Sequence, residues 1–317
     1  MTILPSITAL RCLDSSARLL SFTRAAGEMH LTQGAVSHHI LQLEKQLGVQ
    51  LFLRKRTTLE LTLSGRTYWN EIAPLLHQLA CATENMIASG GKGRILNLSV
   101  SSGFANYWLM PRLHEFLSSH PDVTVNLSTQ IGPVDFSNGK DDASIEFCAG
   151  ASADVDALLV HPLVLKPYVS TTVFKEFAKA HRIHSKKLTK AQLAAFLQSH
   201  SLICRTTVME AWDGWLNIAG LLEEVPGAHL LAGPRYALLS MALHGAVNGV
   251  GVSLLPDYVA SKPASEGLLT CLSPIAWTAS RAYYLRWPHW RADLHALNCF
   301  RSWLLSMRTG GAPAVLA

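Results

Sequence analysis

The chain of 317 residues is long enough for two or three domains, each with its own core. Hydrophobic residues make up 49% of it and charged ones 15%, which excludes a disordered protein. The net charge of +5 is mild, yet seven basic residues meet only four acidic ones within residues 1–62, a modest electrostatic footprint for DNA. The opening MTILPSITALRCLD has no basic stretch followed by an apolar one, and no run approaches the roughly 18 apolar residues of a membrane span. A cytoplasmic location and no membrane partner are therefore expected.

A first helix is predicted over residues 5–20, where Ile7, Leu10, Leu13 and Ala17 recur at helical spacing. A second, short one runs through Arg24, Ala25, Ala26 and Met29 and closes at Leu31. After the turn at Leu31 and Thr32 a third begins, with Thr32 as its N-cap, because a hydroxyl can accept from an unpaired first-turn amide. Val36, Ile40, Leu43 and Leu47 share one face of that helix. Gly34, His38 and Lys45 lie opposite, flanked by Ser37 and Gln42. Two helices joined by a tight turn, the second turning polar groups outward near its N-terminus, suit major-groove recognition. Then come apolar Leu51 to Leu53, basic Arg54, Lys55 and Arg56, a turn at Thr57 and Thr58, and alternation from Leu59 to Thr62. This fits a hairpin wing whose arginines reach phosphates or a narrow minor groove. The competing reading is a plain helical subdomain with a solvated charge cluster.

From Thr62, a further N-cap candidate, a long helix is predicted to about residue 88. Ile72, Leu76, Leu79, Thr83 and Met86 alternate spacings of four and three, the seam of a coiled coil, against the alternative of a helix buried in one domain. Pro74 should bend it or remove one hydrogen bond. Residues 89–93, SGGKG, read as a hinge. Strands follow at 95–100, 123–127, 143–147, 158–169, 201–204 and 249–255, with a helix over 105–118 between the first two, so a parallel α/β arrangement is expected.

In such sheets ligands sit beyond the carboxyl ends of strands. That rule nominates Ser101, Ser102 and Gly103, Thr129 with Gln130, Glu146 with Phe147, Thr171 with Thr172, and Arg205 with Thr206 and Thr207. Each is equally well read as a loop-forming polar residue. Of the 14 histidines, His38 and His39 are adjacent and diverge by about 100° on a helix, and His181 and His184 have no nearby partner, so no metal is expected. Six widely spaced cysteines form no ligand or CxxC pair, and GxSxG, GxxxxGK[ST] and HExxH are absent. No cofactor and no catalytic residue are expected.

The motifs ALR at 9–11, SFTRAA at 21–26, TQGAVS at 32–37, LEKQLGVQLF at 43–52 and LTLSG at 61–65 resemble the LysR-type transcriptional regulators. WLMPRL at 108–113, HPDV at 120–123, GP at 233–234, GVGV at 249–252 and WLL at 303–305 extend the resemblance, more sparsely, over nearly the whole chain. It is strongest toward the subgroup of glycine-cleavage activators and regulators of β-lactamase induction. The resemblance implies an α+β protein: a winged helix-turn-helix over 1–62, a dimerising linker helix and hinge over 63–91, and an effector-binding domain over 92–317. That domain would be a two-lobed α/β unit like a periplasmic binding protein, with lobe I at about 92–165 and 273–308 and lobe II at about 166–272. The chain would cross between lobes near 165–167 and again near 267–273.

By the same resemblance Gln33 and His38 read base edges, Thr32 and Ser37 hold phosphates, and Gly34, Arg54 and Arg56 complete the DNA surface. The implied partners are double-stranded promoter DNA, a small-molecule effector, further copies in a homodimer or homotetramer, and RNA polymerase. Three departures stand out. Leu41 occupies a position where many relatives are basic, Glu146 one where many carry arginine, and Ala237 to Leu239 one where serines are frequent. An acidic residue and an apolar stretch in the cleft speak against an inherited anionic effector and leave a cationic, an apolar or no ligand open. A ligand-responsive transcription factor is the leading reading, a DNA-tethered α/β enzyme the alternative.

Overall fold

The computed structural model describes residues 4–54, 58–89, 93–130, 132–185 and 187–309. The chain divides into two compact units, Met1–Lys92 and Gly93–Ala317.

The first unit is built from α1 (Ile7–Leu19), α2 (Phe22–Met29), α3 (Gln33–Leu47), the hairpin β1 (Phe52–Arg54) and β2 (Leu59–Leu61), and α4 (Leu63–Ser89). Ser6, Ser21 and Thr32 cap the first three helices with their hydroxyls, satisfying amides that have no partner inside the helix. Left-handed Leu20, His30 and Gly48 end them. The apolar faces meet in one core of Cys12, Leu13, Ala25, Val36, Ile40, Leu43, Leu51 and Phe52. Glu44 fixes the wing to α3, its Oε1 accepting from the amides of Leu51 (2.8 Å) and Phe52 (3.1 Å). Thr62 caps α4 as expected, with Gly65 N donating to its hydroxyl at 2.9 Å. A Cβ at Gly65 would stand 2.0 Å from Leu51 O, so only glycine lets α4 leave the wing this closely. α4 continues past Pro74 without interruption. Of the hinge predicted over 89–93, residues 90–92 lie outside the described residues, as do residues 55–57 of the wing tip.

The second unit carries β3 (Ile95–Val100), α5 (Ser102–Phe104), a π-helical turn (Ala105–Leu109), α6 (Met110–Ser119), β4 (Thr124–Thr129), β5 (Ala143–Cys148) and β6 (Val155–Ser170). It continues with α7 (Thr171–Ala180), α8 (Lys190–Ser199), β7 (Leu202–Arg205), α9 (Ala211–Ile218), α10 (Gly227–Ala232), β8 (Arg235–Tyr236), α11 (Leu239–Val247) and β9 (Val252–Pro256). It closes with α12 (Asp257–Ser265), β10 (Leu269–Cys271), β11 (Trp277–Pro288) and α13 (His295–Thr309). The strand order is β4-β3-β5-β11-β6-β9-β7-β8, with β10 beside β6.

The sheet is mixed, where strand–helix–strand alternation alone suggested parallel pairing. β3 lies parallel to β4 and β5, and β7 parallel to β9 and β8. The two long strands between these groups, β6 and β11, run antiparallel to each other and to their neighbours. β6 serves both lobes: its first part, to Leu165, pairs with β11, and from Leu165 to Tyr168 it pairs with β9. The return lies between Cys271, still paired with Tyr168, and Trp277, paired with Leu165. Among the described residues no helix is long and apolar enough to cross a membrane.

Candidate DNA-reading surface and effector cavity

On α3 the inner residues Val36 and Ile40 are fully buried, while Gln33, Gly34, His38, Leu41, Gln42 and Lys45 are exposed and Ser37 is half-buried. The Thr32 hydroxyl accepts from Ala35 N at 3.2 Å, which fixes the start of this outward face. Leu41, half exposed, sits among the polar residues at its centre. Arg54 ends β1, and Arg56 lies outside the described residues.

The second unit contains a cavity of about 720 Å³ between its lobes. Of the residues nominated from sequence, Ser101, Ser102, Gly103, Gln130, Glu146, Phe147, Arg205, Thr206 and Thr207 line it. Gly103 is there for close approach: a Cβ would stand 2.7 Å from the side chain of Leu239 in the opposite lobe. Thr129, Thr171 and Thr172 are not on the lining. Thr129 ends the outermost strand, and its neighbour Gln130 faces the cavity instead. Thr171 fails for a topological reason. β6 enters its lobe from the cleft and runs antiparallel to β9 and β7, so its carboxyl end lies at the far edge of the sheet. There Thr171 N donates to Leu268 O, and its hydroxyl shares a 2.9 Å hydrogen bond with that of Thr270.

Sequence order hid the contribution of β11. Arg281, Tyr283 and Arg286 all reach the lining because β11 pairs with β5, setting Arg286 opposite Ser144 and Tyr284 opposite Glu146. The consequence for Glu146 reverses the expectation drawn from its charge. Its Oε1 accepts from Ser144 Oγ (2.6 Å) and Val134 N (3.0 Å), and its Oε2 from Arg286 Nη1 (2.9 Å). Both side chains of the pair are largely buried, so the carboxylate is neutralised in place and is no counter-ion for a cationic ligand. Arg281 bridges toward the second lobe, donating to Thr207 O (2.9 Å), pairing with Glu210 (3.4 Å) and lying over the Phe147 ring. Behind Tyr283, Phe104 stacks at 4.2 Å and Trp108, His161 and Tyr258 crowd around it. Burial there holds the His161 imidazole below its ordinary pKa.

Residues 7–66 match the bacterial regulatory helix-turn-helix proteins of the lysR family, and residues 89–308 match the LysR substrate binding domain. The chain belongs to the LysR family. It is 31% identical over 303 residues to the glycine cleavage system transcriptional activator of Escherichia coli K12, covering 96% of this chain and 94% of that one. It is 33% identical over 303 residues to the transcriptional activator AmpR of Pseudomonas aeruginosa, covering 95% of each. The solved effector domain of that AmpR superposes with a TM-score of 0.56 at 26% identity, over 68% of this chain and 95% of that one. CrgA, a LysR-type regulator of Neisseria meningitidis, has the same fold over 96% of this chain and 99% of its own, with a TM-score of 0.52 at 19% identity. This LysR-family member is a transcriptional regulator that joins a helix-turn-helix DNA-binding unit to an effector-binding unit.

Proposed function

We propose that the protein acts in the cytoplasm as a homo-oligomeric switch on promoter DNA. α3 enters the major groove, Gln33 and His38 contact base edges, Thr32 and Ser37 hold phosphates, and Gly34 lets the backbone approach. Arg54 and Arg56 on the wing add phosphate or minor-groove contacts. The observation that carries this reading is the division of α3 into a fully buried apolar side and an exposed side bearing Gln33, His38, Gln42 and Lys45.

A single recognition helix reads too few bases for useful specificity, so two heads must be held together. α4 supplies a means: Leu75, Leu79, Met86 and Ile87 are 49–75% exposed in the single chain, and they continue the face on which Tyr68 and Trp69 pack into the core. Two such helices paired make a dimer, and contacts between regulatory units join dimers into a tetramer. Two of the relatives are named activators, which makes RNA polymerase the expected recipient of the signal. The protein works by binding rather than turnover. The carboxylates on the lining are engaged with arginines, Glu146 with Arg286 and Glu210 with Arg281, which suits holding a ligand better than moving a proton.

DNA fragments retained by the protein from its native genome would supply the operator. On that operator Gln33→Ala should cost about 1–3 kcal/mol while leaving binding to unrelated DNA unchanged. Equal loss on both would remove the base-reading role.

A further inference from the structure

We infer that the effector is an anion whose carboxylate or phosphate oxygens are anchored by Arg205, a residue that ends β7 and lines the cavity. The inference rests on the reading of this cavity as the effector site.

Arg205 is only 9% exposed, yet among the described residues only one of its three nitrogens has a hydrogen-bond partner, Nη2 donating to Thr207 Oγ1 at 3.0 Å. Its Nε and Nη1 are buried and have no hydrogen-bond partner among the described residues. A buried guanidinium in that state is costly, because its charge and its N–H groups have left water without replacement. The rest of the lining does not relieve it. Three arginines, Arg205, Arg281 and Arg286, share the lining with two glutamates, each already engaged with another arginine. One positive charge is left over, and it falls on the side chain with the free donors. Arg286 Nε is likewise buried without a partner.

The surroundings favour the same sign. α11 begins on the lining at Leu239, and its N-cap Leu238 provides no side-chain hydrogen bond, so its first-turn amides and the positive end of its dipole are left to a ligand. The apolar run at Ala237 to Leu239 thus does not mark an apolar ligand, since the backbone beneath it is polar. Phe147, Tyr283 and Met209 line the same space and suit an apolar body attached to the anionic group.

The test uses the full chain and three small probes of similar shape: benzoate, phenyl phosphate and benzylammonium. Thermal denaturation is followed with each, for the wild type, Arg205→Met and Met209→Glu. Benzoate or phenyl phosphate should raise the wild-type Tm in a saturable way, benzylammonium should not, and the better anion identifies the oxygen group. Arg205→Met should abolish the effect, and its own ligand-free Tm should match or exceed that of the wild type, because an unsatisfied buried charge has gone. Independently, Met209→Glu, at a position 59% exposed, places a carboxylate on the lining and should suppress the anion effect with the fold intact. Stabilisation by benzylammonium, no stabilisation by either anion, an undiminished anion effect in both variants, or a fall in ligand-free Tm for Arg205→Met would each overturn the inference. Operator footprints on the same samples separate the two readings. Loss of DNA binding by the wild type would strike the proposed function, whatever the anions do.

Discussion

The pair formed by Glu146 and Arg286 offers a quantitative check on how the cavity is built. Glu146→Leu leaves the Arg286 guanidinium, whose side chain is 12% exposed, without its carboxylate and, among the described residues, with one remaining side-chain hydrogen bond, to Ser152 Oγ. Removing one member of a buried pair costs about 3–5 kcal/mol, most of it the penalty of the stranded charge. For a unit of this size about 2–4 °C of Tm accompanies each kcal/mol, so a fall on the order of 10 °C is expected. Arg286→Met should do comparable damage, as it strands Glu146. The double variant Glu146→Leu with Arg286→Met removes both charges. It should recover all but about 2 kcal/mol, the residue being the Val134 amide and the buried Ser144 hydroxyl, which both lose their acceptor. Seven of the eight tryptophans follow Gly93, so tryptophan fluorescence during heating reports mainly on the regulatory unit. Additive losses in the double variant would refute the argument, because they would show two independent side chains and no coupled pair.

Two further expectations concern the linker and pH. Leu76→Glu with Leu79→Glu should yield a protein that neither dimerises through α4 nor protects an operator. Two half-sites one helical turn apart need heads about 34 Å from each other. Sedimentation and footprinting on the same sample check this, and wild-type mass with an unchanged footprint would show that α4 is not the clamp. His161 supplies the pH dependence. Its folded pKa is depressed by burial, so its contribution is complete above about pH 6.5 and is lost as pH falls, when the unfolded chain takes up a proton that the folded one refuses. Tm of the wild type relative to His161→Phe should therefore decline below about pH 6.5. A gap that stays constant with pH would place the imidazole in an ordinary environment.

Much of this protein was determined by short stretches of sequence. Thr32 and Thr62 cap their helices because the acceptor and the amide it serves lie three residues apart. The 95–100 strand and the two sides of α3 follow from periodicities of two and 3.6 residues, which need no distant partner. Ser101 and Arg205 reached the cavity because each ends or follows a strand whose carboxyl end points there. What sequence could not carry was strand order and direction. Thr171 also follows a strand, but only the antiparallel run of β6 against β9 shows that its end faces away from the cleft. The sign of the cavity was beyond local reading for the same reason. Glu146 looks like a free acid until β11 folds back beside β5 and brings Arg286, 140 residues later in the chain, to within 2.9 Å. Charge in a cleft is a property of pairs, and only the tertiary structure decides which charges are paired and which, like that of Arg205, keep buried donors without a partner among the described residues.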